Sequence, residues 1–266
     1  MKKLDQLLGE LLRLRGKPTL VLSAKKIERL LPFDVAKALD GFQLDELDVV
    51  FLSSGGNIEG AYNVIRVLRG HAQRLNVLVP FYAKSAGTLV CLAADSVVTS
   101  TLSEFGPLDA QVFGRKERRM KSALTSFYAG ERVRKSMAEQ TQASFHKMLR
   151  IEESIVDDER QLMIGVRYAE RVLLEMMKWD EVRAIALARR LVFDYPSHDH
   201  VIDREEALSL GMPIVMAPPE LERVLHALAL ELHSREETFV QMHPALSVLP
   251  LVPAENAKSA HGERIV

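Results

Sequence analysis

The sequence predicts an α/β layer structure with largely parallel strand pairing. Two observations carry this: short apolar runs of strand length alternate with helical periodicity through the first hundred residues, and two strand-to-helix junctions are built from glycine and small residues. From about residue 121 to 190 the alternation gives way to long, charged, helical sequence.

Residues 1–18 read as an amphipathic helix. Leu4, Leu7, Leu8, Leu11 and Leu12 share one face opposite Lys2, Lys3 and Glu10, a stripe expected to pack on the core or on another subunit. Strands follow at Thr19 to Ser23, Val49 to Leu52, Val77 to Phe81 and Val97 to Thr101. Between the second and third, Ala61, Val64, Ile65, Leu68 and Ala72 repeat at helical spacing. Between the third and fourth, Ala86 to Ala94 forms a helix of mostly small residues, which lets it lie close against the sheet.

The helical insertion covers about 121–190 and shows no convincing strand. Two basic runs near its start, Arg115 to Lys121 and Arg132 to Lys135, read as a solvated loop or an exposed helix face. A short helix opens at Asp203, with Glu206 three residues on, and closes on Gly211. The α/β domain is thus expected over 19–218, a C-terminal helix over 219–249 with its amphipathic part at Leu221 to Glu231, and a disordered tail over 250–266. No internal repeat is present.

Bulk properties narrow the functional classes. A chain of 266 residues can bury a sizeable core as one large domain or a domain with an appendage. A formal net charge of -1 gives no reason to expect nucleic acid or an anionic membrane as partner. Cys91 is the only cysteine, so an intrachain disulfide and a cysteine metal cluster are both excluded, and Cys91 itself reads as a buried small hydrophobe. The N-terminal segment carries charges where a signal peptide needs an unbroken apolar run, and no stretch of about 18 apolar residues occurs. A cytoplasmic protein without a transmembrane segment is expected.

The chemistry concentrates at two junctions. Ala83-Lys84-Ser85-Ala86-Gly87-Thr88 places a serine on a tight turn between strand and helix, where a nucleophile sits. About 30 residues earlier, Ser53-Ser54-Gly55-Gly56-Asn57 joins the strand Leu47 to Leu52 to a helix. Glycines there can turn their N–H groups outward, and the serine turn adds the N–H of Ala86, which together make an oxyanion hole.

With their flanking elements and the later Gly106-Pro107-Leu108-Asp109-Ala110-Gln111, these motifs resemble the Clp protease/crotonase superfamily. More narrowly, the chain resembles the serine dehydrogenase proteinase family, relatives of signal peptide peptidase A. The likeness is strong over residues 47–111 and weaker over 197–215. It implies a spiral of ββα units, with an added helical region here, and ring-shaped oligomers. Ser85 matches the family's nucleophile, and Gly55 and Gly56 its oxyanion turn, with Ala86 N–H as the second donor.

The general base is not fixed by this likeness. Clp protease subunits carry a histidine in the loop that here reads Phe105 to Asp109, and this chain has none there. Signal peptide peptidase A relatives use a lysine after that loop, for which Lys116 and Lys121 are the candidates. Ser197-His198-Asp199-His200 precedes a Glu206-Ala207…Gly211 helix, so by the family register Asp199 takes the orienting-acid position and His198 or His200 supplies an imidazole. A metal site on the two histidines lacks an obvious third ligand.

The expectation is a homo-oligomeric serine hydrolase that cleaves peptides or proteins without a cofactor. No Gly-x-x-x-x-Gly-Lys-Ser/Thr nucleotide loop is present, so an ATPase, if one takes part, is a separate partner. Two other readings use the same frame: a crotonase-type enzyme acting on coenzyme A thioesters, with Ser85 structural, and a protease-like scaffold that binds without catalysis.

Overall fold

The computed structural model describes residues 2–114, 119–137, 142–235 and 237–243. In chain order the elements are α1 (Lys2–Arg15), β1 (Thr19–Ser23), α2 (Leu31–Ala38), β2 (Leu44–Leu52), α3 (Ile58–His71), β3 (Ala72–Val79), β4 (Tyr82–Ala83), α4 (Ala86–Leu92), β5 (Ser96–Thr99), β6 (Glu104–Phe105), β7 (Gln111–Gly114) and β8 (Arg119–Ser122). Then come α5 (Ala123–Met137), α6 (Gln142–Arg171), a π-helical turn at Val172–Met176, α7 (Glu181–Phe193), β9 (Ile202–Asp203), α8 (Arg204–Ser209), β10 (Ile214–Met216), α9 (Pro219–His233) and β11 (Phe239–Met242).

The main sheet runs in the order β10-β5-β3-β2-β1-β11. All its pairings are parallel except β1 with β11, where Leu20 faces Met242 and Ser23 faces Phe239. β1 is buried throughout and β2 over its last six residues, as expected of strands covered on both faces. One face packs on α2, α3, α4 and the insertion helices around Phe51, Ile65, Leu89 and Leu187. The other is closed by α1 and α9, whose Leu4, Leu8 and Leu11 meet Leu221, Leu225, Leu228 and Leu232. Leu4, Leu8 and Leu11 of the first helix's leucine stripe are thus used for packing within the chain.

A buried ion pair fastens α1 to the sheet. Asp48, fully buried on β2, accepts from Arg15 Nε at 2.7 Å and Nη2 at 3.1 Å, and from Asn76 Nδ2 at 2.8 Å. A carboxylate buried there requires these donors, because an unpaired charge in the interior is strongly destabilising.

The α/β class with its mostly parallel central sheet is the fold the sequence predicts, and some elements extend it. The expected helix over 219–249 stops at His233, and Phe239–Met242 instead pairs with β1 at the sheet edge. Gln111–Gly114 and Arg119–Ser122 form an antiparallel pair just before the insertion, a feature the sequence reading does not include. The tail 250–266 lies outside the described residues. Cys91 is fully buried, and burial pushes its thiol pKa up.

Candidate active site

Ser85 sits between β4 and α4 with φ 52° and ψ −122°, a backbone conformation that non-glycine residues rarely adopt. Such strain persists only where the surroundings over-determine it. Lys84 N–H donates to Ser53 O at 2.9 Å, and Ser53 N–H donates to Tyr82 O at 3.0 Å, tying the serine turn to the end of β2. Buried Thr88 clamps the other side: its Oγ1 lies 2.9 Å from Ala83 O and 2.8 Å from Gly106 O, and accepts from Gly106 N–H at 3.1 Å. An ion pair of 2.8 Å between Lys84 Nζ and Glu104 draws the lysine side chain toward β6.

The Ser53 to Asn57 turn requires its two glycines. Gly55 and Gly56 have φ of 101° and 135°. A Cβ on Gly55 would fall 2.7 Å from Ser85 Cβ, and one on Gly56 would fall 2.5 Å from Ile27 O. The two N–H groups differ in their use. Gly55 N–H donates to Ser53 Oγ at 3.2 Å, whereas the N–H groups of Gly56 and Ala86 donate to no protein acceptor among the described residues. Asn57 then caps α3, its Oδ1 accepting from Gly60 N–H at 2.6 Å.

His198 Nδ1 lies 2.9 Å from Oδ1 of Asp109, a carboxylate 1% exposed at the end of the Phe105 to Asp109 loop. The other carboxylate oxygen, Oδ2, accepts from Ser122 Oγ at 2.5 Å. That loop is held from two sides. Leu108 N–H donates to Leu191 O at 2.7 Å, and Gly165 lets α6 approach so closely that a Cβ there would stand 2.8 Å from Leu108 O. Burial lowers the imidazole pKa, but the hydrogen bond and charge of Asp109, with the charge of Asp199, outweigh it, so the His198 pKa is raised above its usual value.

A cavity of about 590 Å³ opens over these groups, and Gly55, Gly56, Ser85, Ala86, Asp109 and His198 all line it. Nδ1 faces the carboxylate, so Nε2 is the imidazole nitrogen not engaged by Asp109.

The other candidates lie elsewhere. His200 packs against Tyr195 in a tilted arrangement with ring centroids 4.9 Å apart, its Nε2 4.0 Å from Glu206. Asp199 is exposed and reaches His198 only as a nearby charge. Lys121 Nζ donates to Ser126 Oγ at 3.0 Å and stands 3.8 Å from Asp158, and neither His200, Asp199 nor Lys121 lines the cavity. Lys116 falls outside the described residues. Among the described residues no cluster of three or more His, Cys, Asp or Glu side chains is arranged to hold a metal. Asp109 is the residue that sequence reasoning passes over: the loop draws attention for the histidine it lacks, while its carboxylate is what receives His198.

Comparison with known proteins sets this arrangement in a family. Two curated relatives from Methanocaldococcus jannaschii, both uncharacterised, are 26% and 23% identical over 65% and 63% of this chain, covering 55% and 51% of their own lengths. The chain thus spans about half the length of the curated relatives it matches. Among solved structures, a mutant of a membrane-bound stomatin-specific protease is similar at TM-score 0.47 and 11% identity, over 72% of this chain and 75% of that one. A ClpP1 mutant from Listeria monocytogenes is similar at TM-score 0.41 and 16% identity, over 81% of this chain and 99% of that one. In the described residues no helix is long and apolar enough to cross a membrane. Residues 41–260 match the ClpP-like SDH-type serine proteinase family, and the chain belongs to that family.

Proposed function

We propose that the protein is a serine peptidase in which Ser85 is the nucleophile, His198 its general base and Asp109 the acid that orients the imidazole. The observation that carries this reading is that Ser85 and a carboxylate-bound histidine line one cavity. A serine hydroxyl attacks a carbonyl only when a base takes its proton, and a histidine serves when its other nitrogen is held by a carboxylate.

In the proposed reaction, Ser85 Oγ forms a bond to the scissile carbonyl carbon as its proton passes to His198 Nε2. The carbonyl oxygen becomes an oxyanion, received by the N–H groups of Gly56 and Ala86. His198 then protonates the leaving amine, the C–N bond breaks and an acyl-Ser85 remains. Water, deprotonated by the same imidazole, releases the acid and restores Ser85. Asp109 stays ionised throughout and stabilises the imidazolium. Relative to the register-based reading, the orienting acid becomes Asp109 and the base His198.

Labelling with a fluorophosphonate, read by mass spectrometry, tests this. Label on Ser85, lost in Ser85→Ala and reduced at least about 100-fold in rate in His198→Ala, is the expected result. Unchanged hydrolysis of a fluorogenic peptide library by Ser85→Ala would refute it.

A further inference from the structure

The carboxylate of Asp109 is met from two sides. An ionised carboxylate only accepts hydrogen bonds, and among the described residues its oxygens reach two side chains: Oδ1 lies 2.9 Å from His198 Nδ1, and Oδ2 accepts from Ser122 Oγ at 2.5 Å. The first contact belongs to the proposed triad, and the second comes from outside it.

Backbone pairing delivers the Ser122 hydroxyl. Ser122 closes β8 opposite Gln111 of β7, and Ala123 N–H continues the pairing by donating to Ala110 O at 2.9 Å. The residues that follow Asp109 are thus laid beside those that carry the hydroxyl. Ser122 Oγ also accepts from Leu124 N–H at 3.2 Å in the first turn of α5, so it is held at both ends and its single proton is turned to Asp109. The preceding side chain, Lys121, is taken up elsewhere, by Ser126 and Asp158.

Building on the peptidase reading, we infer that Ser122 is a positioning residue for the reaction, its hydroxyl fixing the Asp109 carboxylate so that Oδ1 stays aimed at His198. The terminal torsion of an aspartate is broad, so one partner leaves the carboxylate plane loose, whereas a donor on each oxygen sets it. Ser122 also shares the charge. Its bond to the carboxylate is stronger while His198 is neutral than when an imidazolium offsets the same charge, so the hydroxyl favours the neutral imidazole, the form that acts as a base.

The charged groups around the pair are otherwise engaged or remote. Asp199 acts on the imidazole only as a nearby charge, and Lys121 of β8 stands 3.8 Å from Asp158 of α6. Asp194, at the end of α7, lines a separate small cavity with Ser122, and Lys26 and Glu59 line the catalytic one. Among the described residues, none of these hydrogen-bonds to Asp109 or His198.

The test follows the His198 imidazole of the full chain by nuclear magnetic resonance, assigned by its loss in His198→Ala, beside the pH profile of kcat/KM for a peptide ester. Ser122→Ala is expected to raise the His198 midpoint by at least about half a pH unit and to lower the plateau rate at least about tenfold, the scale of one hydrogen bond to a charged group. Ser122→Thr keeps the hydroxyl and returns both to near wild type. An unmoved midpoint in folded Ser122→Ala overturns the inference even where the rate falls, because a merely structural role leaves the charge balance of the imidazole alone. Equal effects of the alanine and threonine variants overturn it too. If Ser122→Ala does not fold, Ser122→Cys, similar in shape with a weak donor, takes its place: a raised midpoint supports the inference and a wild-type midpoint overturns it. The resonance is read without substrate, so a moved midpoint in a chain whose Ser85 takes no fluorophosphonate supports the role of Ser122 on Asp109 and refutes the hydrolase reading. An unmoved midpoint in a chain that takes the label does the reverse.

Discussion

His198 and Asp109 are 89 residues apart in the chain and meet at 2.9 Å in the wall of the cavity that holds Ser85. Because the raised pKa keeps the imidazole charged to higher pH, the neutral form comes to predominate above the ordinary histidine value of about 6.5. The rate kcat/KM for a peptide ester is therefore expected to climb with pH through an inflection above that value. Asp109→Asn removes the hydrogen-bonded charge and should bring any residual inflection down. A wild-type inflection at or below about 6.5 would contradict the assignment.

The same pair gives stability the opposite slope. A group whose pKa is raised on folding contributes stability that is fully present below its unfolded pKa of about 6.5 and is lost as pH rises through the folded value. Urea midpoints of wild type and His198→Ala should therefore differ most on the acidic side of this window and differ less above it. Activity rises where this part of the stability falls.

Substitution separates the competing bases. His198→Ala should cost at least about 100-fold in kcat/KM. Lys121→Ala and His200→Ala should each stay within a few-fold of wild type, because Lys121 is held by Ser126 and His200 by Tyr195 and Glu206. Loss of activity in Lys121→Ala alone, with His198→Ala active, would establish a Ser/Lys dyad instead.

Gly56→Ala should lose about 100-fold or more in kcat, the scale of one missing oxyanion donor. A Cβ 2.5 Å from Ile27 O pushes the turn, and its N–H, out of place. Pre-steady-state acylation is the measurement, with circular dichroism confirming that the variant is folded. Full acylation in a folded Gly56→Ala would remove Gly56 from the hole.

Far from the site, Arg15→Ala should destabilise the chain by about 3–5 kcal/mol, the usual scale for orphaning a buried charge. Asp48 would keep only its bond from Asn76. Urea unfolding reads this, and a loss under about 1 kcal/mol would mean that solvent reaches Asp48 once the guanidinium is gone.

Sequence legibility tracked how local each feature is. The serine and glycine turns are strand-to-helix junctions whose residues speak for themselves: small side chains, a glycine pair, a serine where the chain reverses. Asp109 carries no such signal, because its role exists only once α6 packs through Gly165 on Leu108 and the Ser197 to His200 loop folds over. Asp199, adjacent to His198 in sequence, points to solvent for the same reason. β10 and β11 are edge strands of three and four residues, and their pairing depends on partners about 117 and 220 positions away, as Ile214 with Val97 and Leu20 with Met242 show.

The closeness of Gly55 to Ser85 also restricts how this family member can change over generations. With a hypothetical Cβ at 55 standing 2.7 Å from Ser85 Cβ and 2.8 Å from Lys84 O, no larger residue can enter at 55 while the Ser85 backbone stays where it is. Shrinking residue 85 to glycine removes only the first obstacle, since the carbonyl of Lys84 remains. The two motifs are thus epistatic: a lineage can lose the Ser85 hydroxyl in one step, yet it keeps Gly55 until the whole turn is rebuilt. Glycine at this position is therefore held by the geometry of the turn itself, and a descendant with Gly55 but no serine at 85 would keep that geometry.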